Sequence, residues 1–431
     1  MDETQKYCIV GAGSSGIAAG KNLKARGIPF DIIEREDEVG GQWYYGTPSS
    51  SVYQSTHLIS SKPLTEYTDY PMPDAYPDFP HHRLVCAYLR DYARHFDLYP
   101  HIEFKRSVER IERADDEWDV TLDGGETRRY RGVIIANGHL SHPKWPDYPG
   151  EFNGSIIHSA DYKTPDVLRG QRVLIVGAGN SGCDIAVESA QNAAATFHSV
   201  RRGYYYVPKY GFFGKPVDQT AEMLHNLRLP LWLRRLFGTL LLKAIVGNPQ
   251  DYGLPKPDHR LFEAHPIVNS QLLYYLKHGD IQHKPDVAEL CGDRVRFVDD
   301  SSEAIDVIVY ATGYQIHFPF IDRDHLNWHN GRPRLYLNVF HPTYDNLFVA
   351  GLIQPDSGQF GLVDYQSQAI AAFIHAQSHD AVKADRLRAA KSRDLPDLGR
   401  GIQYLDSSRH YLEVEHYGYR KHLKRVIKWL T

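Results

Sequence analysis

The feature that most constrains the fold is a glycine motif, G-x-G-x-x-G, that occurs twice in the 431 residues. One copy, VGAGSSG, occupies residues 10–16, and the other, VGAGNSG, occupies residues 176–182. Each follows a short apolar run typical of a buried strand and leads into a stretch typical of a helix. The glycines permit a tight turn beside a pyrophosphate, and the helix N-terminus supplies free N–H groups for phosphates. The two copies predict an α/β fold with two Rossmann-like dinucleotide-binding domains.

The strand after each motif ends in a different residue, and that residue distinguishes nucleotides. In the first unit the strand ends in Glu34, where an acid accepts hydrogen bonds from a free ribose hydroxyl. In the second unit Arg201 takes the corresponding place and Arg202 follows it. Because guanidinium groups match a 2′-phosphate, we predict that the second site prefers NADP to NAD. The alternative is that both arginines are merely solvated surface residues.

Two nucleotide sites on one chain indicate two redox cofactors, and FAD with NADPH is the natural pair. Flavoproteins that reduce disulfides need a redox-active cysteine pair beside the flavin. The four cysteines, at positions 8, 86, 183 and 291, are too far apart in sequence for such a motif. We therefore expect molecular oxygen to accept the reducing equivalents, and we expect a reducing, cytoplasmic location.

A third motif identifies a family resemblance. The segment FNGSIIHSADY fits the pattern FxGxxxHxxxY at Phe152, Gly154, His158 and Tyr162. It resembles the signature of the flavin-containing monooxygenases, the soluble bacterial-type branch of the class B flavoprotein monooxygenases that oxygenates nitrogen and sulfur. Related Baeyer–Villiger enzymes usually carry Trp at the last position of the pattern. Similar segments lie at 34–45, 53–62, 67–80, 307–320 and 346–355.

The resemblance implies an NADPH-dependent flavin monooxygenase similar to N,N-dimethylaniline monooxygenase. In such enzymes a hydroperoxide at flavin C4a transfers one oxygen atom to an amine nitrogen or a sulfide sulfur of a small molecule. Baeyer–Villiger or indole-type oxygenation and uncoupled NADPH oxidation remain alternatives. A protein that only binds nucleotides is disfavoured by the two intact motifs.

The resemblance also implies the cofactor contacts. Those with FAD are expected at Gly11, Gly13, Ser14, Ser15, Gly16, Glu34, Arg35, Gln42, Trp43 and the backbone of Val108. Those with NADP are expected at Gly177, Gly179, Asn180, Ser181, Gly182, Asp184, Ser199, Arg201 and Arg202. We expect His158 and Tyr162 to align the two domains and not to act in catalysis.

One departure from the family concerns the segment that faces the flavin. Many members have an Asn there, and this chain has Ile59 at that place, followed by Ser60. An amide donor near the flavin is therefore missing, although Ser60 can partly replace it. We expect more of the NADPH to be lost as hydrogen peroxide than in members that carry the Asn.

The motifs also predict the domain organisation. An FAD-binding domain is expected over 1–160 and again over 281–431, where it includes the segment DVIVYATGY and a C-terminal helix. The NADP-binding domain, over 161–280, is inserted in it. A helical excursion at about 215–265 is expected to cap the active site or to make a dimer contact, with membrane-surface association as the alternative.

Composition excludes several classes of partner. A formal net charge of −4 argues against nucleic-acid binding. No apolar run reaches the roughly 20 residues that cross a bilayer, and the N-terminus does not resemble a signal peptide. The 23 histidines are scattered, and no metal site is expected. The expected partners are a small-molecule substrate and oxygen, and a second copy of the chain is the candidate protein partner.

Overall fold

Two parallel five-stranded sheets dominate the computed structural model, which describes residues 5–226, 229–393 and 395–431. In spatial order the first sheet contains Leu347–Val349, Gly132–Ile135, Tyr7–Val10, Phe30–Glu34 and Ile102–Phe104. The second contains Ile281–Lys284, Ala195–Ser199, Arg172–Val176, Val307–Tyr310 and Ser155–His158. Each glycine motif follows the central strand of its sheet, and this confirms the predicted α/β fold with two Rossmann-like units.

The inner strands of both sheets are largely apolar and buried, as expected where both faces of a parallel sheet are covered, whereas the edge strands Ile102–Phe104, Ser155–His158 and Ile281–Lys284 are more exposed. The central strand Tyr7–Val10 is buried at every position and pairs in register Tyr7↔Phe30 on one side and Tyr7↔Gly132 on the other. In the second sheet, Arg172 pairs with Ala195. A parallel pair needs a crossover, and the helices that follow the two motifs, Ser14–Lys24 and Asn180–Asn192, provide it.

The sheet pairing corrects the expected domain boundaries. The strand Val307–Tyr310, expected in the FAD domain, pairs with Arg172–Val176 of the second sheet. The strand Ser155–His158, expected before the NADP domain, forms the edge of the same sheet. The second unit therefore begins before 160 and ends near 310, not at 280. The sequence of a short buried strand does not indicate which sheet it joins, because the strands of either sheet can satisfy its backbone hydrogen bonds.

The remaining strands form smaller sheets. One is the antiparallel meander Val108–Ala114, Glu117–Leu122 and Thr127–Tyr130. A four-stranded sheet contains Ser302–Ala304, Arg294–Phe297, Val287–Gly292 and Gly150–Phe152. The two-stranded pairs are Tyr206–Val207 with Ile267–Val268, Trp328–His329 with Arg332–Pro333, and Gln354–Pro355 with Glu413–Val414.

The core of the first unit is completed by C-terminal helices. The other helices of the described chain are Lys62–Thr65, His82–His95, Val217–Asn226, Leu231–Ile245, Leu272–His278, Phe360–His379, Ala381–Lys391 and His416–Leu430. The last of these buries Leu423, Val426 and Leu430 in the same core as the first glycine helix, so the expected C-terminal amphipathic helix is confirmed.

The helical excursion is led by Leu231–Ile245, which we call the lid helix. One face turns inward, and the other leaves Trp232 at 66% and Leu240 at 57% exposed. None of the helices within the described residues is long and apolar enough to span a membrane.

Candidate active site

The first glycine turn is held so tightly that side chains are excluded from it. Gly11 has φ of +101°, and a Cβ there would lie 3.0 Å from the carbonyl oxygen of Ala136. A Cβ on Gly16 would lie 1.8 Å from the carbonyl oxygen of Gly11. On the opposite side a Cβ on Gly41 would meet the Cα of Gly13 at 2.8 Å. Because glycine brings no side chain into the turn at these positions, the turn and the N-terminus of its helix are open to a phosphate-bearing ligand.

Glu34 lies at the end of the neighbouring strand with its carboxylate directed back to the turn. It accepts hydrogen bonds from the backbone N–H groups of Ala12 at 2.6 Å and Glu36 at 2.8 Å. Burial raises the pKa of this carboxyl above its usual range. Each carboxylate oxygen has a second lone pair, so Glu34 can still accept hydrogen bonds from ribose hydroxyls.

An elongated cavity of about 710 Å³ runs from the first turn toward the second unit. The predicted FAD residues that line it are Gly11, Gly13, Ser14, Ser15, Glu34, Arg35, Gln42, Trp43 and Val108. Gly16 is the exception, since it lies beneath the turn in contact with Gly11. Gln42 also shapes the wall, because its side chain accepts from Ser51 N at 2.9 Å and donates to Ser49 O at 2.9 Å. The open turn and the length of the cavity fit FAD.

The second motif faces the same cavity and contributes Asn180, Ser181 and Asp184 to its wall. Asp184 accepts hydrogen bonds from the Tyr53 hydroxyl at 2.9 Å and from the Asn269 amide at 2.7 Å. Burial raises the pKa of Asp184. Three predicted NADP residues therefore line the cavity, and the Tyr53–Asp184 hydrogen bond joins the two units there.

The end of the second motif strand is placed differently from our expectation for a phosphate site. Arg202 forms an ion pair with Asp258 at 2.8 Å, and Arg201 is exposed. The Ser199 hydroxyl is buried and donates to the carbonyl oxygen of Pro285 at 2.7 Å. None of Ser199, Arg201 and Arg202 lines the 710 Å³ cavity.

A different arginine, which our sequence reasoning missed, lies at the second turn. The Arg409 guanidinium has an Nη atom 3.8 Å from the place of a Cβ on Gly179, and it stacks over the Tyr204 ring at 5.2 Å. No local pattern could have revealed it, because the two positions meet only through the tertiary fold.

A second cavity, of about 300 Å³, opens beside the first. The lid helix forms part of its wall with Phe237, Leu241 and Ile245 among others. Five residues line both cavities, namely Ile59, Ser60, His265, Pro355 and Ser357. The two predicted flavin-facing residues thus lie at the junction, and the Ser60 hydroxyl is hydrogen-bonded to that of Thr65 at 2.8 Å.

Comparison with known proteins identifies the family. Residues 4–394 match the family described as flavin-binding monooxygenase-like. The chain belongs to this family. It is 31% identical to human flavin-containing monooxygenase 5 over 442 residues, covering 96% of this chain and 80% of the relative. It is 31% identical to dimethylaniline monooxygenase [N-oxide-forming] 2 of Oryctolagus cuniculus, covering 90% of this chain and 77% of the relative.

A solved structure supports the fold. S-allyl-L-cysteine S-oxygenase from Allium sativum superposes with a TM-score of 0.68 at 21% identity, covering 98% of this chain and 88% of the other. As a member of the flavin-binding monooxygenase-like family, the chain is an FAD-dependent monooxygenase that uses NADPH.

The signature segment of the flavin-binding monooxygenase-like chain packs between the units. His158 is fully buried between the rings of Trp145 and Tyr314, and burial lowers its pKa. The Tyr162 hydroxyl is hydrogen-bonded to Glu188 on the second motif helix. Neither His158 nor Tyr162 lines the two cavities. This placement fits the expected role of both residues in alignment.

Proposed function

We propose that this protein catalyses NADPH-dependent transfer of one oxygen atom from O₂ to a soft nucleophile, an amine nitrogen or a sulfide sulfur, of a small molecule. The decisive feature is the junction at Ile59 and Ser60. There a long cavity that fits FAD meets a smaller cavity whose walls are mainly apolar. A small molecule in the second cavity would therefore be held against the cofactor.

Bound FAD, once reduced by NADPH, supplies the chemistry that activates oxygen. The protein holds the reactants together and keeps water away, because water in the site would promote loss of the activated oxygen as hydrogen peroxide before it reaches the substrate. The lid helix places Phe237, Leu241 and Ile245 over the substrate cavity, where they exclude solvent. We assign no general acid or base to this chain, since a soft nucleophile needs no proton removed before it reacts.

We propose that the predicted residues bind the two cofactors as assigned, with Glu34 on the FAD ribose and the N-terminus of helix Asn180–Asn192 toward the NADP pyrophosphate. Arg409 is added to the NADP site, because its guanidinium faces the second turn. Arg201 and Arg202 would bind the 2′-phosphate only after Arg202 leaves Asp258.

The test is product analysis with FAD-loaded protein, NADPH and oxygen. A thioether, a tertiary amine and a cyclic ketone are offered separately. We expect a sulfoxide and an N-oxide, with NADPH consumed in proportion. Conversion of the ketone to a lactone with no product from the other two would refute the proposal in favour of Baeyer–Villiger oxygenation.

We further propose a cytoplasmic protein, since all four cysteines are free thiols and three of them are buried. We propose that a second copy of the chain docks on the outer face of the lid helix, where Trp232, Leu236 and Leu240 are exposed. Sedimentation velocity of the wild type and of Leu240→Lys tests this, and a monomeric wild type would refute it.

A further inference from the structure

The wall of the substrate cavity contains a carboxylate that the proposed oxygen transfer does not use. Asp356 follows the short strand Gln354–Pro355 and lines the 300 Å³ cavity. Its sequence neighbours Pro355 and Ser357 line both cavities, so Asp356 lies next to the junction. The walls of this cavity are mainly apolar, although Lys209, Asp218 and Arg234 also line it, so a further carboxylate there requires an explanation.

The two glutamates near Asp356 have cationic or imidazole partners, whereas Asp356 and Asp218, the aspartates that line this cavity, form no ion pair with a described residue. Glu415 forms ion pairs with Arg234 and Arg400, each at 3.3 Å, and Glu413 lies 3.1 Å from the His265 ring. Within the described ranges, Asp356 forms no ion pair. The only side-chain hydrogen bond of Asp356 there is accepted from the backbone N–H of His416 at 2.8 Å.

Two polar atoms in the same wall also lack partners. The Ser357 and Tyr404 hydroxyl oxygens are buried without a hydrogen bond to any residue that the structure describes. Buried polar atoms are nearly always satisfied by protein, water or ligand. Together with Asp356 they form a polar patch that faces the cavity, which we call the acidic patch.

We propose that Asp356 binds a cationic ammonium group of the substrate, so that the reacting nitrogen or sulfur lies at the junction near Ile59. The substrate class is then a small molecule that carries a positive charge a few bonds from its soft nucleophilic atom. This inference rests on the proposed function for the reacting atom, but the binding of the cation can be measured without turnover. The Ser357 and Tyr404 hydroxyl oxygens complete the coordination of the cation.

The electrostatic surroundings of Asp356 support a cation as the ligand. Burial, followed by the negative charges of Glu415 and Glu413, raises the pKa of Asp356 to about 7, while the His416 N–H and Arg234 lower it. Several groups face this carboxyl: Arg234 on the lid helix, Glu413, Glu415, His416 and Tyr417 on the C-terminal segment, and Tyr404. A bound cation would relieve this unfavourable charge.

The same surroundings predict a pH dependence. An acid with a raised pKa is neutral below that pKa, so it attracts a cation only above it. Affinity for a permanently charged ammonium compound should therefore rise as the pH passes through about 7. Burial lowers the pKa of His416 to about 4, so this ring stays neutral through the transition.

The experiment compares two matched sulfides. One is a methyl sulfide that bears a trimethylammonium group, and the other bears a tert-butyl group of the same shape without charge. Binding to the FAD-loaded enzyme without NADPH is measured by calorimetry, and KM is measured with NADPH. We expect the charged sulfide to bind at least about tenfold more tightly than the neutral one.

The variant Asp356→Asn keeps the hydrogen-bond acceptor for His416 N but loses the charge. It should bring the ratio of the two affinities close to one. Asp380→Asn is the matched control, because Asp380 also accepts a backbone N–H bond at a helix start, from Lys383. That control should keep the wild-type ratio.

The outcomes separate the two proposals. Equal binding of both sulfides to the wild type, or a preference that does not change with pH and survives in Asp356→Asn, would overturn the ammonium site. Absence of sulfoxide from both compounds would instead refute the proposed reaction, while the binding ratio would still decide the role of Asp356. Should Asp356→Asn lose FAD, the pH dependence of the wild-type ratio decides alone.

Discussion

The two glycine motifs have nearly the same sequence, but their surroundings differ. At the first, Glu34 faces the cofactor cavity and the backbone of Gly41 closes the turn. At the second, Arg202 is bound to Asp258, and the charge near the turn comes from Arg409. Under the proposed assignment, Glu34 already faces the FAD cavity, whereas Arg202 must leave Asp258 before it can bind the 2′-phosphate of NADP.

The largest expected effect concerns the close contact with a backbone carbonyl that the last glycine makes in both turns. Gly16→Ala and Gly182→Ala should each destabilise the fold severely, since the added Cβ would lie 1.8 Å and 2.0 Å from a carbonyl oxygen. Gly179→Ala should keep the melting temperature within a few degrees, because its Cβ would meet only Arg409, at 3.8 Å. Melting temperature and FAD content measure the difference. Equal losses of melting temperature and FAD content in all three variants would show that the clash of the added Cβ with a carbonyl oxygen is not their cause.

The next effect concerns the 2′-phosphate. The double variant Arg201→Ala with Arg202→Ala should raise KM for NADPH far more than KM for NADH. The charge-assisted bonds to the phosphate that it loses are worth roughly 1.5–3 kcal/mol. Asp258→Asn should lower KM for NADPH, since it frees Arg202 from its ion pair. Steady-state kinetics with both nucleotides checks this. An equal change for NADPH and NADH would refute the assignment.

A smaller effect is expected for Arg409→Ala. We expect NADP⁺ to bind about tenfold more weakly in a titration of the flavin absorbance, because one cation near the pyrophosphate is lost. Arg332→Ala serves as the control, since Arg332 also stacks on a tyrosine at 5.2 Å but lies away from the cavity walls. If both variants bind NADP⁺ like the wild type, Arg409 has no role there.

The smallest effect tests the junction. Ile59→Asn introduces an amide where both cavities meet. One added hydrogen bond of about 1 kcal/mol should lower the peroxide formed per NADPH by about fivefold. Ile59→Leu keeps the side chain apolar and should stay at the wild-type value. Peroxide and NADPH are measured together. If Ile59→Asn forms as much peroxide per NADPH as the wild type, the missing amide is not the cause of uncoupling.

Much of the first site could be predicted because its residues are local. The turn, its helix and Glu34 lie within one strand-helix-strand unit, and their spacing alone places them together. The second candidate site is less local. Its glycines and Asp184 lie in one strand-helix unit, whereas Arg409 comes from the far end of the chain and Arg202 is held by Asp258 of the excursion.

The sequence by itself determined the two Rossmann-like units and the family. These depend on short motifs whose geometry is fixed by neighbouring residues. Only the tertiary structure decided which sheet takes Val307–Tyr310 and which charged groups line the substrate cavity. Strand pairing and burial depend on contacts between distant segments, and hydrophobic patterns favour burial without naming the partner. Tertiary packing also determined the environment of Asp356, because contact with the C-terminal segment raises its pKa and places it beside the 710 Å³ cavity.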